Sequence, residues 1–401
     1  MANLNSMKDF IFFATADWDT PYLTNKQHMA KEFARLGHRI LYIESVGIRK
    51  PKIISGIDLK RLFFRFFRGI REPKKVDANT NIWVLAPLVF PFGHGNKWIK
   101  LFNQSVMKWQ MNCFLKQHGF SSPIIWTYHP YMLDVIKNLG LRNELIYHCV
   151  DDLSAVPGID NASYNSEEKR LLQKADVVFV TSKHLMKKCL KYNKDTYYFA
   201  NVVDFEHFSI NKKNIMVPRD LKEISEPRIV IAGALSEFKI DFKLLYQIIS
   251  DNTQYNFVFI GSEIEGQNNK ILKKISLHRN AYFLGYKKYS ELPQYLKNMQ
   301  IAFMPIKKNS YTRAMSPMKL NEYIASGLPI ISTDLHFLEE YKLAKEIASI
   351  KDYSKFSKIC NNLLKQGKIS TFKAKKIIGE NTWHERTYKM LKIIDMKVEN
   401  Y

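Results

Sequence analysis

The sequence predicts an α/β protein built as two Rossmann-like domains facing across a cleft. Two observations carry this expectation. Short apolar runs alternate with helical stretches in each half, the pattern of parallel sheets with helices on both faces. The length, 401 residues, exceeds one ordinary core and suits two of roughly 150–200 residues each.

In the first half the apolar runs are 10–14 (FIFFA), 40–44 (ILYIE), 82–86, 124–128, 145–150 and 177–181, with a helix over 26–36 that ends at Gly37. The second half restarts with 228–232, 256–260, 282–284, 301–305, 330–333 and 347–350. Between them, 207–227 is rich in Lys, Asn and Pro without a clean period and reads as a linker. The expected division is 1–206, the linker 207–227, 228–382, and a terminal helical segment 383–401. Open α/β sheets bind ligands at the carboxyl ends of their strands, so residues just past these runs are the candidates for chemistry.

Hydrophobic residues make up 46% of the chain and aromatic residues 13%, which argues for a folded protein. The 61 Lys and Arg outweigh 38 Asp and Glu, giving a formal charge of +23. A field of that sign draws nucleic acid, anionic headgroups or phosphorylated substrates. Cys113, Cys149, Cys189 and Cys360 lack CxxC or CxxH spacing and read as reduced, small hydrophobes of a cytosolic protein, with neither zinc nor disulfides expected. The opening MANLNSMKDF lacks the basic region and apolar core of a leader. No run approaches the roughly 18 apolar residues of a membrane span, so work at a membrane is expected from its surface.

The most informative stretch is 316–333, SPMKLNEYIASGLPIIST. Ser316 and Pro317 suit a helix start, the hydroxyl as a cap and the proline in the first turn. Gly327 and Pro329 stop the helix before a strand at Ile330. A helix N-terminus exposes N–H groups and a partial positive charge, a ready site for phosphate. Met318 and Lys319 lie in that first turn, where a cation is unfavourable unless an anion sits nearby. Glu322 follows one turn later on the same face, placed to accept from a ribose diol. A diphosphate clamp with a ribose acceptor describes a nucleotide-sugar site; an ordinary surface helix with solvated Lys and Glu is the alternative. Gly233 and Gly261 close their strands, where backbone either approaches a ligand or simply turns. No dedicated metal cluster appears.

These residues resemble the donor-binding segment of GT-B glycosyltransferases, in particular bacterial polysaccharide enzymes of the teichuronic-acid, xanthan glucuronosyltransferase and family-four types. The likeness runs from Asp9 to Trp383 and is densest from Arg228 to Asp334, where IAGALSEFKIDFKLL, FVFIGS, YFLGY, LPQYL and IAFMPI recur in order. It implies the GT-B fold, a nucleotide-sugar donor with UDP foremost, no metal and no further cofactor, and a departing diphosphate stabilised by helix dipole and cations. It implies donor contacts at Gly233, Lys239, Tyr286, Thr312, Ser316, Pro317, Met318, Lys319 and Glu322, with Tyr311 and Arg313 beside them. Many retaining members have Glu, seven residues, then Glu. Glu322 fits the second, but Ala314 stands at the first, which leaves retention against inversion open. In this family the terminal helix often crosses back to the first domain.

An inverting transfer needs a carboxylate or His to take the acceptor hydroxyl's proton. In YHCVDDLS, Asp151 and Asp152 follow an apolar run, and adjacent carboxylates diverge, so one faces the ligand. The resemblance to inverting xanthan-type relatives assigns the base to Asp151; Asp152, or turn capping by both, is the alternative. Asp17-Trp18-Asp19 is similar to the family's DWD opening and implies acceptor contacts at Asp17 and Trp18, the indole stacking on a sugar. His129 is a further acceptor candidate, with Tyr128 and His28 lesser ones.

Residues 49–75 hold ten Lys and Arg against Asp58 and Glu72, interleaved with Leu62, Phe63, Phe64, Phe66, Phe67 and Ile70. That composition suits an anionic membrane surface; the alternative is a segment whose Phe residues are core. No helix-turn-helix, zinc finger or RNP-like motif appears, so nucleic acid is not an expected partner. The expected function is a glycosyltransferase, cytoplasmic and peripheral to the inner face of the cell membrane. It would move a sugar from a nucleotide diphosphate to a lipid-linked or growing saccharide in bacterial capsule, O-antigen or exopolysaccharide assembly. A nucleotide-sugar 2-epimerase of the same fold and a non-catalytic nucleotide-binding scaffold are the rivals.

Overall fold

The computed structural model describes residues 7–46, 72–88, 97–141, 144–209, 216–263, 268–341 and 344–398. The chain divides into two compact units, Met1–Phe199 with Arg386–Tyr401, and Ala200–Glu385. The basic-aromatic stretch 49–71 lies outside the described residues.

The first unit carries β1 (Asp9–Phe13), β2 (Arg39–Ile43), β3 (Lys74–Lys75), β4 (Ile82–Leu85), β5 (Ile124–Thr127), β6 (Leu145–Cys149), β7 (Val177–Val180) and β8 (Thr196–Tyr198). They form one sheet in the order β3-β4-β2-β1-β5-β6-β7-β8, parallel except where β3 runs against β4. Every residue of β1 is buried, as a parallel strand covered on both faces requires. Phe12, Trp126 and Phe179 stack across the sheet with ring separations of 5.6 and 5.5 Å. At the amino edge Asp9 takes the Arg39 guanidinium at 2.6 and 2.7 Å, a bidentate pair that fixes β1 against β2. β3 and β8, of two and three residues, are not among the runs expected from the sequence.

The second unit carries β9 (Arg228–Ala232), β10 (Asn256–Ile260), β11 (Ala281–Phe283), β12 (Ile301–Met304), β13 (Ile330–Thr333) and β14 (Ile347–Ile350). The order is β11-β10-β9-β12-β13-β14, parallel throughout. Alternate strand residues serve opposite faces. Val230, Val258 and Ala302 enter one core with Leu320 and Tyr323; Ile229, Phe257 and Phe303 enter the other with Leu245 and Ile248.

The described residues of 207–227, namely 207–209 and 216–227, do not form a free linker. Helix Phe205–Phe208 and the 3-10 turn Arg219–Leu221 belong to the second unit, and Phe208, Leu221 and Ile224 are buried in its core. Within helix Trp383–Val398, residues from Arg386 onward group with the first unit, where Thr387 Oγ1 meets Met29 Sδ at 3.8 Å.

Both sheets reverse direction at their first strand, β2-β1-β5 in one and β10-β9-β12 in the other. Loops leaving the carboxyl ends of the two central strands diverge there and open a crevice, the usual place for a ligand in such sheets. In the first unit this point is met by residues 14–24 and 128–130, and in the second by 233–241 and 305–309.

His38 supplies a stability test for the first unit. It is buried, its Nδ1 accepts from the Lys8 N–H at 3.2 Å, and burial followed by the Lys8 charge moves its pKa from 6.5 down to about 4, with Asp395 opposing. The unfolded imidazole takes a proton below its ordinary pKa while the folded one resists, so stability present at neutral pH is lost as pH falls through that window. The slope is up to about 1.4 kcal/mol per pH unit for one such group. Chemical denaturation between pH 7 and 5 should show this loss, and His38→Gln should flatten it; equal slopes in the two proteins would contradict the assignment.

Candidate functional site

In the second unit β9 runs into Gly233, whose φ of +121° favours glycine, and a Cβ there would stand 3.6 Å from Lys319 Cε. The following loop is pinned from several sides. Gly233 N–H donates to Ile260 O at 2.9 Å, Leu235 N–H to Ser262 O at 3.0 Å, Asn309 Nδ2 to Phe238 O at 2.7 Å and Lys307 N–H to Lys239 O at 2.8 Å.

Helix Met318–Ala325 is docked on this strand end. Leu320, Tyr323 and Ile324 are buried in the core, and the Tyr323 hydroxyl accepts from the Ala232 N–H at 2.9 Å. The docking leaves Lys319 and Glu322 on the polar side, where Lys319 Nζ donates to Glu322 Oε2 at 2.5 Å. The Lys319 side chain is 29% exposed and that of Glu322 6%. Behind them Tyr289 stacks on His207 at 4.3 Å, and burial, then the charges of Glu322 and Asp204, hold its hydroxyl well above the usual phenol range.

Ser316 is not the helix cap. Pro317 occupies that position with no side-chain cap bond, and Ser316 Oγ accepts instead from the Asn201 N–H at 3.2 Å. Asn201 also donates from Nδ2 to Ser316 O at 2.6 Å, and its carbonyl accepts from Asn321 Nδ2 at 2.8 Å. Asn201 therefore holds both the approach to the helix and its second turn, while the first-turn amides of Met318 and Lys319 carry no side-chain cap. Thr312 departs from expectation too. It is fully buried, and its hydroxyl closes a capping box with Asn309 and donates to Lys307 O at 2.5 Å. Its hydroxyl is thus spent on shaping the loop. Lys239 lies on the pinned loop with Nζ 5.0 Å from the Tyr311 ring centre, and Tyr286, beyond β11, is 41% exposed. The cluster assembled at the sheet reversal is therefore Gly233, Met318, Lys319 and Glu322.

In the first unit Asp151 follows β6, half-buried, its carbonyl accepting from the Leu153 N–H at 3.1 Å. Asp152 is committed elsewhere, its Oδ1 accepting from Ser154 Oγ at 2.6 Å and Lys188 Nζ at 3.0 Å. Lys188 also pairs with buried Glu168 at 2.6 Å, and Glu168 accepts from the Tyr147 hydroxyl at 2.7 Å. Burial alone would lower the Lys188 pKa, but Glu168 and Asp152 together raise it. Asp17 and Trp18 follow β1 and His129 follows β5, so these residues and Asp151 stand on three neighbouring strands. Trp18 packs its ring edge-on to Tyr42 at 5.0 Å, with Lys31 Nζ 5.9 Å from its centre, rather than standing free for stacking. The His129 ring is buried, its backbone N–H held by Thr127 Oγ1 at 3.0 Å.

Sequence reasoning missed Arg386, which is buried with Nη2 2.8 Å from His148 Nε2. A guanidinium only donates, so Nε2 accepts and the neutral imidazole carries its proton on Nδ1. Burial, then the charges of Arg386 and Lys26, hold the His148 pKa well below its ordinary value. Among the described residues no group of His, Cys, Asp or Glu is arranged to hold a metal, and no helix is long and apolar enough to cross a membrane.

Residues 226–366 match the family described as Glycosyl transferases group 1. A Bacillus subtilis (strain 168) protein named as a teichuronic acid biosynthesis glycosyltransferase, TuaH, is 26% identical over 216 residues, 50% of this chain and 53% of its own. The chain thus spans about half the length of that relative. Sucrose-phosphate synthase from Thermosynechococcus elongatus matches with a TM-score of 0.68 at 12% identity, covering 99% of this chain and 100% of its own. Anabaena Alr3699/HepE, solved in complex with UDP, matches with a TM-score of 0.57 at 12% identity, covering 98% of each chain. The fold is that of the GT-B glycosyltransferases. Within it, residues 226–366 are the part of the chain that matches the glycosyl transferases group 1 family.

The Lys188 network gives a direct structural prediction. Lys188→Met leaves the Glu168 carboxylate buried without its cation and should destabilise the protein by about 3–5 kcal/mol. A urea midpoint within the error of wild type would show that Glu168 does not depend on Lys188.

Proposed function

We propose that this protein transfers a sugar from a UDP-sugar to a lipid-linked or growing saccharide during assembly of a bacterial surface polysaccharide. The observation that carries the reading is the Gly233–Lys319–Glu322 cluster at the reversal of the second sheet. There the uncapped first turn of helix Met318–Ala325 offers backbone N–H groups and the positive end of its dipole to a diphosphate. The Lys319 ammonium neutralises charge that grows as the diphosphate leaves, and Lys239 supplies a second cation. Once Lys319 turns to phosphate, both Glu322 oxygens are available to the two ribose hydroxyls. The group 1 domain and the UDP-bound structural relative support the donor class.

In this reading the second unit binds the donor and the first the acceptor. Asp151 is the general base. It stands just past the carboxyl end of β6, the position at which the resemblance to inverting relatives places the base. Asp151 takes the proton from the acceptor hydroxyl as that oxygen bonds to the anomeric carbon, and the diphosphate departs with the electron pair of the broken C–O bond. Ala314, where retaining relatives carry Glu, supports inversion. Asp17 and Trp18 border the acceptor. Residues 49–75 bring the enzyme to the anionic inner face of the cell membrane, which supports a lipid-linked acceptor.

The test is transfer from UDP-sugars to lipid-linked saccharides by wild type, Asp151→Asn and Asp152→Asn. Asp151→Asn should lower kcat by about 10²-fold or more with the donor dissociation constant unchanged. Asp152→Asn should act chiefly on stability. Conversion of the UDP-sugar into an epimer without any acceptor would contradict the reading.

A further inference from the structure

Three buried side chains of the first unit converge on one residue of the loop that leaves β1 at the sheet reversal. Tyr42 lies in β2, Glu44 just past its carboxyl end, and Gln27 in the first turn of helix Asn25–Arg35. Tyr42 and Gln27 are fully buried and Glu44 is 4% exposed. The Tyr42 hydroxyl donates to Ala16 O at 2.9 Å, Gln27 Nε2 donates to Asp17 O at 2.9 Å, and Glu44 Oε1 accepts from the Trp18 N–H at 2.9 Å. These groups belong to the two peptide planes that flank the Asp17 Cα. The plane before it is held at its carbonyl, and the plane after it at both its carbonyl and its N–H. Each plane is rigid, so holding both fixes φ and ψ of Asp17 and sets the direction in which its side chain leaves the backbone. An ordinary exposed turn leaves such groups to water.

The three holders are themselves fixed. The Glu44 N–H donates to Leu85 O at 3.0 Å, extending the β2–β4 ladder, and Gln27 Oε1 accepts from the Thr24 N–H at 3.0 Å within a capping box. Burial, then the charges of Tyr128, Glu44 and Asp17, hold the Tyr42 hydroxyl well above the usual phenol range, which keeps it a donor. Burying a carboxylate is unfavourable, but the charge-assisted bond it makes is roughly twice as strong as a neutral one. We propose that Glu44, with Tyr42 and Gln27, is a positioning residue for sugar transfer, orienting the Asp17 carboxylate for the acceptor hydroxyls. The inference rests on the reading that Asp17 borders the acceptor. A saccharide that meets a carboxylate already held in place binds with less ordering still to be done, so the cradle acts on acceptor affinity and alignment.

The test is acceptor kinetics, with the UDP-sugar and lipid-linked saccharide that wild type turns over, for Glu44→Met, Asp17→Ala and the double variant. Glu44→Met keeps the bulk of the side chain and removes the acceptor of the Trp18 N–H. It should lower kcat/KM for the acceptor about tenfold or more, while the UDP thermal shift stays that of wild type. Glu44→Gln keeps an oxygen for the Trp18 N–H and should recover most of that loss. Because Glu44 acts through Asp17, Glu44→Met should add little to Asp17→Ala; fully additive losses would overturn the proposal. So would wild-type acceptor kinetics in Glu44→Met. A Glu44→Gln variant as impaired as Glu44→Met would also overturn it, by making the charge itself part of the chemistry. If Glu44→Met does not fold, Tyr42→Phe, which releases only Ala16 O, should raise the acceptor KM, and an unchanged KM would count against the cradle. Wild-type kinetics in Asp17→Ala would remove Asp17 from the acceptor site and this inference with it, while loss of transfer in Asp151→Asn would leave the proposed reaction standing. A wild type that transfers to no acceptor would contradict the proposed function and the inference together.

Discussion

A parallel strand buried on both faces can place polar chemistry only at its ends, and that constraint organises both units. β1 is buried along its whole length, and β9 and β12 send alternate residues into two cores, so neither sheet has a face free for a substrate. What remains is the carboxyl edge. There the order reverses at β1 and again at β9, and the loops diverge. Gly233, Lys319 and Glu322 collect at one reversal; Asp17, Trp18 and His129 stand beside the other, with Asp151 one strand further.

The Gly233–Lys319–Glu322 cluster depends on how firmly one short helix is held. Tyr323 fastens it to β9 through the Ala232 N–H, and Asn201 fastens its approach through three hydrogen bonds. Each such bond contributes only about 1 kcal/mol net, but together they fix where the uncapped amides point. The Lys319–Glu322 pair has its ammonium partly in water and its carboxylate buried, so Glu322 needs a donor beside it, whether Lys319 or a group that takes its place.

Much of this was legible in the sequence, for physical reasons. The central strands are unbroken apolar runs, and a cation in a helix's first turn followed by an acid one turn later marks a polar face with two opposite demands. What stayed hidden depends on residues far apart in the chain. Ser316 looks like a helix cap until Asn201, 115 positions away, claims its hydroxyl. Thr312 looks available until its own Asn309 closes a local box around it. Phe208, Leu221 and Ile224 anchor 207–227 to a core, yet without periodic spacing they read as incidental apolar residues in a polar linker. Arg386 and Lys188 look like surface cations on helices, because only the fold brings His148 to one and Glu168 to the other.

The central claim is that helix Met318–Ala325 is a nucleoside-diphosphate site with Glu322 on the ribose. The most direct measurement is unfolding of wild type and Glu322→Ala in UDP, GDP and ADP. Ligand at 100 times its dissociation constant stabilises by about 2.7 kcal/mol. The account predicts a shift of that order with UDP, smaller shifts with GDP and ADP, and loss of most of the UDP shift in Glu322→Ala. A UDP shift that survives intact in the variant, or no shift with any nucleotide in folded wild type, would contradict it.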